Sequence, residues 1–167
     1  MENRQIIQGG MGIGVSGWRL AKAVAVEGQL GVVSGTGIDS VFVRLLARGD
    51  VGGHLRRAVE AFPDQEIVTR VWSKYFKECD DSQAQFFESR PMPTAKLNRL
   101  QLEVLVLANF VEVFLAKNGH QGVIGVNFLE KTQMTTLPSL YGAMLAGVDY
   151  VIMGAGIPRE IPGVLDQ

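Results

Sequence analysis

The chain has 167 residues, 47% hydrophobic and 20% charged, with a formal net charge of −1 at pH 7 and an isoelectric point near 6.1. That is enough chain for one domain with a real core, and without a basic field neither nucleic acid nor an anionic membrane is favoured as a partner. The one cysteine, Cys79, cannot close an internal disulfide; beside Lys77, Glu78, Asp80 and Asp81 it reads as an inert surface thiol. No signal peptide is visible, so a soluble cytoplasmic protein is expected.

Arg4 to Gln8 reads as a short strand that empties into Gly9, Gly10, Met11, Gly12, Ile13 and Gly14. Glycines packed this densely after a strand let backbone N–H groups approach a ligand unobstructed. Ser16 or Gly17 caps a helix over Trp18 to Val26, with Leu20, Ala21, Val24 and Ala25 at helical spacing. Leu30 to Ser34 is a second, uniformly apolar strand, as in a parallel sheet covered on both faces, and it runs into Ser34, Gly35, Thr36 and Gly37. Asp39 is expected to cap a helix through Leu46. Further helices follow over His54 to Phe62 and from Pro63-Asp64 through Tyr75. Phe76 to Thr94 loses periodicity and reads as an irregular surface excursion.

Ala95 to Lys117 is the longest predicted helix and is apolar on nearly every face, yet Glu103, Asn109 and Glu112 interrupt the roughly twenty apolar residues a membrane span needs. It is read as a buried helix. Val123 to Asn127 forms a third strand, Pro138 opens a helix that Gly147 stops, and Tyr150 to Met153 is a fourth strand ending in Gly154, Ala155 and Gly156.

Four apolar strands, each followed by a helix, argue for parallel strands joined by crossovers. Ligands bind at the carboxyl ends of such strands. Two architectures compete. Gly12-Ile13-Gly14-Val15-Ser16-Gly17 matches the dinucleotide fingerprint, but the second strand ends in Ser34-Gly35 rather than in the acid that would hold a ribose. The favoured expectation is an α/β chain of TIM type: the first four or so βα units of a (β/α)8 barrel, in one domain over 1–167, with a helical excursion over 38–120 between strands two and three. A closed barrel of that type takes eight strands and about 250 residues.

The blocks IIQGGMGIGVSGWRLAKAVA, GQLGVVSGT, VGGHLRRAVEAFP, LANFVEVFLAKNGHQGVIGVNFLEK and LPSLYGAMLAGVDYVIMGAGIPREIPG resemble the N-terminal half of the nitronate monooxygenase family, formerly 2-nitropropane dioxygenases. The resemblance runs along nearly the whole chain. It implies an FMN-dependent barrel flavoprotein, an oxidoreductase oxidising alkyl nitronates with dioxygen, with a small-molecule substrate. Relatives with the same barrel include FMN-dependent enoyl reductases of fatty acid or polyketide synthesis. By position, Gln8, Gly9, Gly10, Met11 and Gly12 would lie against the flavin ring and Asn127 would contact it, while Ser34, Gly35, Thr36, Met153, Gly154 and Ala155 would line the same rim.

The resemblance also implies that the phosphate loops and the catalytic histidine lie in the half of the barrel this chain lacks, so the catalytic residue is unknown here, and no metal is implied. His54, at a helix start, and His120, ahead of the third strand, are read as structural. Glu130 and Lys131 are weak acid/base candidates, more simply a solvated loop. Arg56 and Arg57 are read as a solvated helix face. A reading of another class makes the chain a non-catalytic half-barrel that binds FMN weakly or not at all and that associates with itself or with a second chain.

Overall fold

A computed structural model describes residues 6–78 and 96–165. In chain order these form α1 (Trp18–Val26), β1 (Gly31–Ser34), α2 (Ile38–Ala47), α3 (His54–Val59), α4 (Gln65–Tyr75), α5 (Arg99–Lys117), β2 (Ile124–Leu129), a 3-10 turn (Glu130–Thr132), α6 (Gln133–Leu145), β3 (Tyr150–Gly154) and α7 (Ile161–Leu165). Arg4, Cys79 and the excursion through Asp80, Asp81, Pro91 and Pro93 lie outside the described residues.

The three strands form one parallel sheet in the order β1-β2-β3, with Val33 opposite Val126 and Val126 opposite Val151. The α/β class stands, but the TIM-type barrel of four βα units does not: among the described residues the sheet is small, open and three-stranded. Of the first expected strand, Arg4 to Gln8, the described residues contribute a single parallel bridge from Ile7 to Leu30. The Gln8 main chain still donates to Leu30 O at 3.0 Å, but toward Val32 its side chain takes the place of the main chain, the amide donating to Val32 O at 3.0 Å and accepting from Val32 N at 3.1 Å. The backbone beyond Gln8 is thereby released from β1 to make the glycine turn.

Side chains alternate across a sheet, and one face, carrying Val33, Ile124, Val126 and Phe128, is buried against Ala21 and Ala25 of α1, Val113 and Ala116 of α5, and Leu140 and Ala143 of α6. Helix α1 sits unusually close. A Cβ on Gly31 would run into the Ala21 carbonyl, and one on Gly122 into the Ala25 carbonyl. Small residues on both sides therefore let the helix backbone rest on the sheet.

A second core lies among the helices between β1 and β2, built from Phe42 and Leu46 of α2, Leu55 and Val59 of α3, Val68 and Val71 of α4, and Val104, Leu107, Phe110, Val111 and Leu115 of α5. Helix α5 thus feeds both cores, which is why it is apolar on nearly every side. Among the described residues no helix is long and apolar enough to cross a membrane. The charge α5 does bury is paired: Glu103 accepts from Arg70 at 2.9 Å and from Arg99 at 2.8 Å. Burial pushes the Glu103 carboxyl up, but the two guanidinium groups outweigh it and leave its pKa lowered.

Side chains at the N-cap start two of the helices. Asp64 accepts from the backbone of Glu66 and Ile67 to start α4, and Asn98 and Gln101 make a capping box on α5. Two expectations shift. Helix α2 starts at Gly37, whose φ of 77° only glycine adopts easily, leaving Asp39 inside the first turn. Pro138 lies inside α6, not at its start; the helix begins at Gln133, and Thr135 and Thr136 return their hydroxyls to Thr132 O. Asp50, φ 49°, supplies an unexpected cap, its two oxygens accepting from Leu55 and Arg56 of α3 at 2.9 Å each.

Replacing Gly31 by valine forces α1 off the sheet, an overpacking that costs on the order of 2–3 kcal/mol. Thermal unfolding should fall by roughly 5–10 °C; an unchanged midpoint would contradict the close helix-on-sheet contact.

Candidate functional site

The carboxyl ends of the three strands and the glycine loop meet on the face of the sheet opposite the helices. Gly10 lies on β1 and β2: a Cβ there would meet the Val32 side chain, Asn127 Cβ at 3.0 Å and Val33 O at 3.1 Å. Met11 follows, and its sulfur accepts from Asn127 Nδ2 at 3.1 Å. A Cβ built on Gly154 of β3 would stand 3.8 Å from both Asn127 Oδ1 and Met11 Sδ. Gly10, Met11, Asn127 and Gly154, far apart in sequence, therefore share one small region.

The remaining predicted residues divide. Gly9, with open space where a side chain would be, offers its carbonyl to Ser16 Oγ at 3.0 Å. Gly12 accepts from Val15 N and Ser16 N and so makes the turn. Gln8 is committed to Val32. Ser34 N donates to Ser16 O and Gly35 N to Asn127 O, and Thr36 Oγ1 accepts from Leu129 N at 2.9 Å. These bonds hold the rim together. Ala155, exposed, sits at φ 63°. Met153 pairs with Phe128 and packs with it on the helix-covered face, so its side chain is directed away from Asn127.

Asn127 is buried, 8% exposed. With Nδ2 given to a sulfur, a weak acceptor, its Oδ1 is one of two buried side-chain atoms without a hydrogen-bond partner among the described residues, the other being Asn109 Oδ1 on α5. An unpaired buried amide oxygen is costly. Asn127 is the one of the two that faces the glycine rim.

Sequence reasoning overlooked Glu112. No side chain of Gly17 or its neighbours caps α1; instead Glu112, reaching from α5, accepts from Trp18 N at 2.6 Å. The half-buried carboxylate thus occupies the N-terminus of α1, where a dinucleotide fold would seat its pyrophosphate. Burial pushes the Glu112 carboxyl up to about 7, against the lowering effects of the Trp18 N–H and the Arg19 guanidinium. The available signal was one of two acids in a mostly apolar helix.

The two histidines serve local structure. His54 packs its ring 5.2 Å from that of Trp18 and bonds Arg57, while His120 bonds Ala116 O and Gly122 N ahead of β2. On the helix-covered side, Glu130, Gln133, Leu137, Met153, Ile157 and Arg159 help to line a cavity of about 360 Å³. Glu130 accepts from Gln133 Nε2 at 3.0 Å there.

Comparison with known protein families, with curated proteins and with solved structures finds no significant match.

Because folding raises the Glu112 pKa from 4.5 to about 7, the folded state holds this proton more tightly. Its contribution to stability is full below about pH 4.5 and is lost as the pH rises through about 7. Relative to Glu112→Gln, which keeps an acceptor for Trp18 but cannot ionise, the wild-type protein should lose ~3 kcal/mol of unfolding free energy between pH 4.5 and 8. Urea unfolding at both values checks this, and parallel pH profiles for the two proteins would refute it.

Proposed function

We propose that this chain carries the ring seat of an FMN-dependent oxidoreductase whose reaction is the oxidation of alkyl nitronates by dioxygen. The observation that supports the seat is the buried, unpartnered Asn127 Oδ1 beside Gly10, Met11 and Gly154. An isoalloxazine ring offers one N–H donor, at N3 between its two carbonyl oxygens, and flat faces on either side, so it suits a site with one fixed acceptor and little side-chain bulk. The alkyl nitronate substrate class rests on the family resemblance of the sequence blocks.

In this reading Asn127 accepts a hydrogen bond from the ring, and its bond to Met11 sets the amide's orientation. Gly10 keeps the loop backbone against Val32 so that no side chain stands in the seat. Bound FMN would supply the electron acceptor. The Glu112 carboxylate at the start of α1 disfavours a dinucleotide in that position, since a pyrophosphate there would face a like charge whenever Glu112 is ionised. Neither His54 nor His120 is assigned a catalytic part, each being engaged by its own neighbours.

Titration of the purified chain with FMN, followed by flavin fluorescence, should give weak but saturable binding that Asn127→Ala reduces about tenfold, the worth of one buried hydrogen bond. No saturation up to millimolar FMN, or equal affinity for the variant, would defeat the assignment. With no catalytic residue assigned in this chain, excess FMN is expected to give no consumption of an alkyl nitronate under oxygen beyond that of free FMN; consumption of an enoyl thioester with NADPH would reassign the reaction to the reductase class.

A further inference from the structure

Helix α6 exposes an apolar stripe that the flavin reading leaves unused. Of its exposed residues all but Gln133 are large and apolar: Met134, Leu137, Tyr141, Met144 and Leu145, each 38–58% exposed. The opposite side, with Thr136, Ser139, Leu140 and Ala143, is buried against the body of the protein. The helix is therefore apolar outward as well as inward, and it contains no charged residue.

Two properties of the stripe select its occupant. First, Met134, Leu137, Tyr141 and Met144 follow a 3-4-3 spacing, which reads the same in both directions. A second copy laid antiparallel about a two-fold axis at the level of Ser139 sets Met134 opposite the partner's Met144, and Leu137 opposite the partner's Tyr141. That matching is what an isologous interface requires, and i, i+3, i+7 ridges are what neighbouring helices pack through. A face without charge meets its own copy with no like-charge penalty, and the net charge of −1 adds little repulsion between whole molecules.

Second, the area fits a weak dimer. At about 200 Å² for a fully exposed large side chain, these exposures amount to on the order of 450 Å² per copy, the size of the largest apolar patch on a typical monomer, which is often functional. Two copies then bury at most about 900 Å², just under the ~1,000 Å² of a specific interface and in the range of weak, transient ones. We propose that α6 is the dimerisation helix of this protein, pairing antiparallel with α6 of a second copy.

Sedimentation velocity across about 1–200 μM should show the 18.2 kDa chain passing reversibly to twice that mass, with a dissociation constant in the micromolar range, where small interfaces lie. Tyr141→Glu should remain monomeric throughout with an unchanged circular dichroism spectrum. Cross-linking keeps the test open should that variant misfold. In a Cys79→Ser background, mixing Leu137→Cys with Tyr141→Cys should yield a disulfide-linked pair under mild oxidation. Met134→Cys alone should not, because ten residues of helix separate it from its partner position, about 15 Å. A chain that stays monomeric at every concentration, a dimer that survives Tyr141→Glu, or rapid Met134→Cys self-linkage would overturn the proposal.

Discussion

The close seat of α1 on the sheet is the constraint on which the rest of the structure depends. Its carbonyls at Ala21 and Ala25 lie where side chains of Gly31 and Gly122 would otherwise stand. That contact fixes the level of the helix relative to β1 and β2, and with it the loop that delivers the chain into the helix. A helix so placed has its first N–H groups turned inward and no local cap, and α5 supplies the missing acceptor through Glu112. One carboxylate thus ties the glycine loop, the first helix and the central helix together, at the expense of keeping an acid where burial favours its neutral form.

The candidate site follows from that arrangement. Because Ser16 donates its hydroxyl to Gly9 O and accepts from Ser34 N, the loop folds over the strand ends and brings Met11 onto Asn127. Several residues that look like ligand contacts on paper, Gln8, Ser34, Gly35 and Thr36, spend their polar groups on holding this rim in shape. What remains beside these is narrower: the floor at Gly10, Met11 with its sulfur on Asn127, the buried, unpaired oxygen of Asn127 and the bare backbone of Gly154.

The departures from expectation share a cause. The N-terminal segment has the apolar residues of a strand, but pairing also depends on what the next residue does with its amide, and Gln8 gives Val32 a side chain in place of a backbone. Counting strands from apolar runs therefore overestimates the sheet and suggests a barrel. Pro138 misleads in a similar way: proline is most at home in a first helical turn, yet the preceding residues, flanked by Thr132, Thr135 and Thr136, extend α6 upstream of it. Asp50 and Glu112, which organise helix starts, carry no local motif, since one acts from a left-handed turn and the other from a different helix.

By itself the sequence determined what depends on neighbours along the chain: the apolar runs of β1, β2 and β3, the span of α1, the start of α4 at Asp64, the buried character of α5, and the small residues that end β1 and β3. These are set by periodicity and backbone preference, which short segments carry within themselves. Only the tertiary structure decided how many strands pair, which face of the sheet stays uncovered by helices, that Asn127 meets Met11 across more than a hundred residues of chain, and that α6 keeps an apolar side turned to solvent. Such outcomes rest on contacts between distant segments, whose partners no local pattern names.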